Sequence, residues 1–209
     1  MNRRKYGSGP GATTQATTRA LARLAGARAV VLVEGISDQI AIETLAGRLG
    51  RDLESERVGI LPLGGAQAIL RHLPSLASKR ASVRLAGLCD AAEEAIFRKA
   101  LAKAHVGSPE TREDLERLGF FVCVEDLESE LIRAVGPARV EALLDVEGDL
   151  GSFRTLQKQS RWRGERFDAQ LRRFLGSGAR RKIRYAHLLV MAVDLERIPR
   201  PLRGVLTHI

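Results

Sequence analysis

Two carboxylates, Glu34 and Asp38, follow directly on the apolar run 29–33, with Gly35 between them. Asp90 and Glu93 follow a second apolar run, 83–89, and Glu125, Asp126 and Glu128 follow a third, 120–124. Carboxylates crowded together repel one another and take up protons unless a cation neutralises them. An all-oxygen ligand set favours Mg²⁺ or Mn²⁺. Two such ions can activate a water and stabilise the leaving oxygen of a phosphodiester. Other chemistries have less support. His72, His105, His187 and His208 are scattered without metal-ligand spacing, and Cys89 and Cys123 lie in or at the end of apolar runs, as small buried hydrophobes do. No G-x-x-x-x-G-K-[ST] loop occurs, which argues against a Walker-type ATPase site, and no G-x-G-x-x-G follows the first apolar run.

These carboxylates need elements to position them. The run 30–33 has no polar alternation and reads as a strand buried on both faces, with Gly35 letting the chain turn sharply into a helix that begins near Ser37 and ends at Gly50. Further strands are expected over 58–63, 83–89 and 120–124, alternating with helices over 66–76, 91–105 and 110–118. Connections too long for hairpins imply a parallel sheet covered by helices, with ligands gathering outside the carboxyl ends of its strands. From Leu131 onward no strand is evident, and helices are expected over 137–147, 151–160, 165–175 and 179–193, ended by Pro199 and Pro201.

Charge divides the chain further. The 209 residues carry a net charge of +9, but residues 151–209 hold 14 Lys and Arg against 4 acids, while residues 20–150 have a net charge of −5. An acidic centre beside basic ends suits a polyanion gripped by Arg and Lys. The competing reading is an inflated arginine content, since 28 of the 34 basic residues are Arg. We expect residues 1–18 to be a flexible tail, with a short helix from Thr18, residues 19–136 an α/β domain, and residues 137–209 a basic helical extension packed on it. No apolar run approaches the roughly 20 residues of a membrane span, and no apolar signal core opens the chain, so a soluble cytoplasmic protein is expected.

The ordered set Val-Glu-Gly-Ile-Ser-Asp at 33–38, Pro-Leu-Gly-Gly-Ala at 62–66, Gly-Leu-Cys-Asp at 87–90 and Glu-Asp-Leu-Glu-Ser-Glu-Leu at 125–131 resembles the TOPRIM (topoisomerase–primase) domain, in the variant of the OLD (overcoming lysogenization defect) nucleases. The stretch 178–186 resembles that family's later lysine-bearing helix. The resemblance implies a TOPRIM-like (Rossmann-like) parallel sheet of about four strands and a metal-dependent DNA endonuclease, or a related phosphoryl-transfer enzyme, using two Mg²⁺ or Mn²⁺ ions. Carried over by position, Glu34 becomes a metal ligand or general acid/base and Asp38 binds a second metal. Asp90 becomes the first aspartate of a DxD motif, Asp126 and Glu128 complete the metal shell, and Lys182 stabilises charge at the scissile phosphate. The second aspartate of DxD falls at Ala92, and Glu93 is the nearest acid able to replace it. The family's ATPase half is absent from this chain.

The alternative function is a catalytically impaired TOPRIM module that binds nucleic acid or a separate ATPase partner. Arg161, Arg163, Arg180, Arg181 and Arg184 are the candidate contacts to DNA or RNA backbone. Blander roles stand beside these assignments. Acids after strands also serve as helix N-caps, Lys182 sits in a basic run where solvated charges are common, and Trp162 and Tyr185 suit packing as well as they suit nucleic-acid chemistry.

Overall fold

The computed structural model describes residues 12–79 and 82–209, so residues 1–11 of the expected tail lie outside it. From Ala12 the chain is helical, α1 (Ala12–Arg23), well ahead of the expected start at Thr18. Tertiary contact overrides the weak helix propensity of threonine here. Ala16 is buried, and the Thr17 hydroxyl donates to the Pro62 carbonyl of the strand that α1 covers.

Four strands, β1 (Ala29–Val33), β2 (Val58–Pro62), β3 (Arg84–Cys89) and β4 (Phe120–Val122), form one all-parallel sheet in the order β2-β1-β3-β4. They are connected through α2 (Ile36–Arg48), α3 (Ile69–Ala77), α4 (Glu94–Lys103) and α5 (Arg112–Arg117). All five residues of β1 are buried, as its unbroken apolar run requires. Successive side chains point to opposite faces. Val30 and Leu32 therefore pack with Leu73, Phe97 and Leu101 of α3 and α4, whereas Val31 and Val33 pack with Ile42 and Leu45 of α2. The chain leaves β1 for β2 on one side and crosses back to β3 on the other. The carboxyl ends of β1 and β3 therefore frame the crevice where open α/β sheets bind ligands.

Six more helices follow: α6 (Leu127–Val135), α7 (Pro137–Val146), α8 (Leu150–Lys158), α9 (Phe167–Gly176), α10 (Ala179–Ala192) and α11 (Arg200–His208). Helix α10 lies along α2. It is fixed there by the Arg48 guanidinium, which donates to the Val190 and Val193 carbonyls at 2.6 Å each, and by a Thr44–His187 side-chain hydrogen bond of 3.0 Å. The sequence reading did not anticipate α6 or α11. Pro201 occupies the first turn of α11, a position that needs no backbone donor, so it starts a helix after Pro199 instead of excluding one. Among the described residues, no helix is long and apolar enough to cross a membrane.

Close approach of β3 and β4 depends on Gly87. A Cβ there would meet the Phe120 ring at 2.4 Å and the Leu32 carbonyl oxygen at 3.4 Å. Phe120 is fully buried and packs edge-on against Phe97, so it cannot yield cheaply. Gly87→Ala is expected to destabilise the protein by about 1–3 kcal/mol through overpacking, measurable as a lowered urea midpoint with unchanged slope.

Candidate functional site

Glu34 is the first residue after β1, and its backbone is clamped from the neighbouring strand. Gly64 and Gly65 both donate to the Glu34 carbonyl, at 2.9 and 3.2 Å. They do so in a turn with φ of +78° and +116°, a conformation that favours glycine, which accounts for the Gly-Gly pair after β2. Gly35 is different. Its φ of −145° is ordinary extended backbone, so it makes no glycine-dependent turn; it contributes its N–H, which donates to Asp38 Oδ2 at 2.8 Å. Asp38 is therefore a capping residue of α2 as well as a candidate ligand.

Across the crevice, the Asp90 N–H donates to Glu34 Oε1 at 3.0 Å, tying the end of β3 to the end of β1. The loops after β3 and β4 are joined in turn. Cys123 N–H donates to the Cys89 carbonyl at 2.9 Å and Ala91 N–H to the Glu125 carbonyl at 3.0 Å. Asp126 caps α6, accepting from the Ser129 N–H at 2.8 Å, and Glu128, two residues on in the first turn, is buried. Helix α10 brings Lys182 Nζ to 3.3 Å from Glu128 Oε1.

The electrostatics follow from this crowding. Burial, then the charges of Glu128 and Glu34, push Asp38 up from 3.8 to about 7, with Lys182 and the Gly35 amide opposing. Burial, then Glu34, Asp38, Asp126 and Glu128, push Asp90 up to about 8. Glu34 and Glu128 are raised as well, chiefly by burial; Glu93 and Glu128 repel Glu34, and Lys182 relieves both. Burial alone would lower the Lys182 ammonium, but Glu128, Asp38 and Asp90 outweigh it and hold the group charged.

The structure thus gathers Glu34, Asp38, Asp90, Asp126, Glu128 and Lys182 around one crevice, with Glu93 near Glu34 on the turn after β3. Ala92 is exposed on the same turn and presents no donor. Among the described residues, no three His, Cys, Asp or Glu side chains are grouped so that they could hold a metal ion as they stand. Protein cations hold two of the carboxylates: Lys182 holds Glu128, and Arg172 of α9 holds Asp126 at 2.5 Å while lying 3.7 Å from Glu125. The donor chemistry still fits a hard divalent cation. It offers oxygen alone, from buried and half-buried carboxylates whose charges oppose one another. Cys89 and Cys123 are buried free thiols pushed further from ionisation by that burial.

Arg172 was not singled out from sequence. Leu171, Phe174 and Leu175 define the buried face of α9, and Arg172 flanks it. Only the tertiary docking of α9 on α6 shows which acids it meets. Glu130, also in the acidic run, is structural: it accepts from the Val124 N–H at 2.8 Å and from Arg133 at 3.0 Å.

The basic candidates divide. Arg161, Arg163 and Arg180 are exposed. Arg181 instead donates to the Ser177 carbonyl at 3.0 Å and hydroxyl at 2.8 Å and stacks on Phe174, while Arg184 pairs with Asp149 and lies 3.5 Å from Glu147. Both are turned into α10's own packing and are not presented to a backbone phosphate. Tyr185 is buried and its hydroxyl donates to Asp149 at 2.8 Å, and Trp162 packs against the core, so both have packing roles. Asp149→Ala removes the acceptor of the buried Tyr185 hydroxyl and leaves Arg184 only its longer contact with Glu147. It is expected to destabilise the protein by about 2–4 kcal/mol in urea titration and to leave nucleic-acid affinity unchanged under native conditions.

Residues 27–91 match the family model described as "Overcoming lysogenization defect protein-like, TOPRIM domain". Among solved structures, the fold is similar to the C-terminal region of the Xanthomonas campestris pv. campestris OLD protein, with a TM-score of 0.69 and 21% identity over 90% of this chain and 94% of that one. It is also similar to the C-terminal region of the Burkholderia pseudomallei OLD protein, with a TM-score of 0.62 and 16% identity over 88% of this chain and 97% of that one. At these identities the structural likeness is one of fold. Comparison with curated protein sequences gave no match.

Proposed function

We propose that this chain, whose residues 27–91 match an OLD-like TOPRIM model, a domain generally of metal-binding nuclease or primase type, is a Mg²⁺- or Mn²⁺-dependent endonuclease acting on DNA. The observation that carries this reading is the convergence of Glu34, Asp38, Asp90 and Glu128 on one crevice at the carboxyl ends of the strands, with Lys182 among them.

Glu34, Asp38 and Asp90, with Glu93, Asp126 and Glu128 around them, are the residues that would hold a divalent cation. When bound, such a cation supplies Lewis-acid polarisation of the phosphodiester and activation of water. Glu34 is suited to take a proton from the attacking water. It is partly exposed, and burial and neighbouring acids raise its basicity above that of a free carboxylate. Lys182 stays charged and offsets negative charge that develops on the phosphate oxygens. Arg161, Arg163 and Arg180 are exposed and can reach a backbone, Arg163 while donating to the Lys158 carbonyl at 3.3 Å and Arg161 while lying over the Trp162 ring; the half-buried engagement of Arg181 and Arg184 removes them from that role.

The test is supercoiled plasmid DNA incubated with the protein in Mg²⁺ or Mn²⁺. Conversion to open circles that chelator abolishes supports the reading. Inert protein on DNA and RNA in both metals, alone and with an ATPase partner, contradicts it. A second reading, a catalytically impaired module that docks on nucleic acid or on a separate ATPase, is favoured by Ala92 and by the absence of a ready-made ligand group among the described residues. Retained DNA binding without cleavage or metal uptake would select it.

A further inference from the structure

We propose that the amino end of the sheet, opposite the carboxylate crevice, is a docking site for an acidic segment of a partner protein that inserts one large apolar side chain. The inference goes beyond the nuclease reading and does not depend on it.

A cavity of about 230 Å³ lies there between the C-terminal ends of α1 and α3, walled by Leu21, Leu24, Val30, Leu76 and Val83, with Lys79 beside them. Leu21 is 41% exposed, and Leu24 and Val83 are half-buried, so the apolar wall reaches water. Covering it with a partner's apolar side chain is favourable. The space is below the roughly 300–1,000 Å³ of small-molecule sites, and suits one aliphatic or aromatic side chain. Charge says what flanks that side chain. Residues 12–33 and 57–89, which make α1, β1, β2, α3 and β3, hold eight Lys and Arg and no Asp or Glu, in a chain with 25 acids. Arg57 and Arg84 are occupied by the carbonyls of Gly26 and His208. Arg23 at the end of α1, Arg28 two residues before Val30, and Lys79 just past α3 are exposed and have no ion pair among the described residues. These three cations more than offset the negative ends of the two helices, each about half a charge. Carboxylates beside the inserted side chain therefore meet an unopposed positive rim, whereas a basic segment is repelled. Nucleic acid fits less well, because a phosphate backbone offers nothing to the apolar cavity and no aromatic side chain lines it for a base to stack on.

An array of immobilised peptides tests this, each with Leu, Phe or Ala at its centre and Glu, Asp, Gly and Ser shuffled around it, probed with the labelled full chain. Acidic peptides centred on Leu or Phe are expected to retain the protein. In solution, the tightest of them is expected to lose about tenfold or more in affinity when its centre becomes Ala, and a similar amount against Lys79→Glu or Leu21→Asp. Lys158→Glu, an exposed charge reversal on α8, is expected to bind it as wild type does. Equal retention by Ala-centred peptides, no retention by any peptide, or unchanged binding by Lys79→Glu overturns the inference. Displacement of the peptide by an equal concentration of a charge-matched single-stranded oligonucleotide also overturns it, in favour of a nucleic-acid contact. A dimer in sedimentation that Lys79→Glu dissociates overturns it in favour of a second copy of the chain. Circular dichroism checks the fold; if Leu21→Asp unfolds, the exposed Lys79 still decides the matter.

Discussion

Glu34→Gln is expected to reduce plasmid nicking by about a thousandfold, within the range for loss of a positioned proton acceptor, while the protein stays folded. Gln keeps the side-chain length and an oxygen that can accept the Asp90 amide, so the tie between β1 and β3 survives. What it loses is the negative charge and the capacity to take a proton. Equal nicking by Glu34→Gln and wild type, with circular dichroism unchanged, would remove Glu34 from the chemistry.

The second large effect is on stability. In chelator, the protein is expected to be less stable at pH 8 than at pH 5, and Asp38→Asn is expected to abolish much of the difference. Asp38 and Asp90 are raised from 3.8 to about 7 and about 8 in the folded protein. A carboxyl with a raised folded pKa binds more protons folded than unfolded, so stability falls as pH climbs from about 4 through the folded value. For the buried Asp38 the shift corresponds to up to about 4 kcal/mol. Asn is neutral at every pH and can still accept the Gly35 amide, so the α2 cap persists. Urea titrations at the two pH values give the comparison. A wild type more stable at pH 8 than at pH 5 in chelator would show that the carboxylates are not crowded as described.

Much of the fold was legible because its signals are local. The unbroken run of β1 could only be a strand buried on both faces, and the alternation of strands and helices required a parallel sheet. The convergence of Glu34, Asp38 and Asp90 followed from that topology together with the family likeness. Residues whose roles are set by distant neighbours were not legible. Arg184 looks like one charge in a basic run until α10 sets it against Asp149, and Arg172 acquires its meaning only when α9 meets α6. Asp126 caps α6 through one oxygen, as the blander reading of an acid after a strand expects, and meets Arg172 through the other, a contact no local signal shows. Helix α11 was missed because prolines read as terminators from sequence, whereas Pro201 sits where a helix begins.

On the proposed reading these carboxylates are crowded because they share a cation. Thermal unfolding of the wild type at pH 8, in chelator and then in saturating Mn²⁺, tests it most directly, since a ligand bound only by the folded state raises its stability. At about a hundred times the dissociation constant the gain is about 2.7 kcal/mol, which for a chain of this size raises the midpoint by about 5–10 °C. Asp38→Asn should lose most of that rise. An unchanged or lowered midpoint for the wild type in Mn²⁺ would show that the folded carboxylates share no cation.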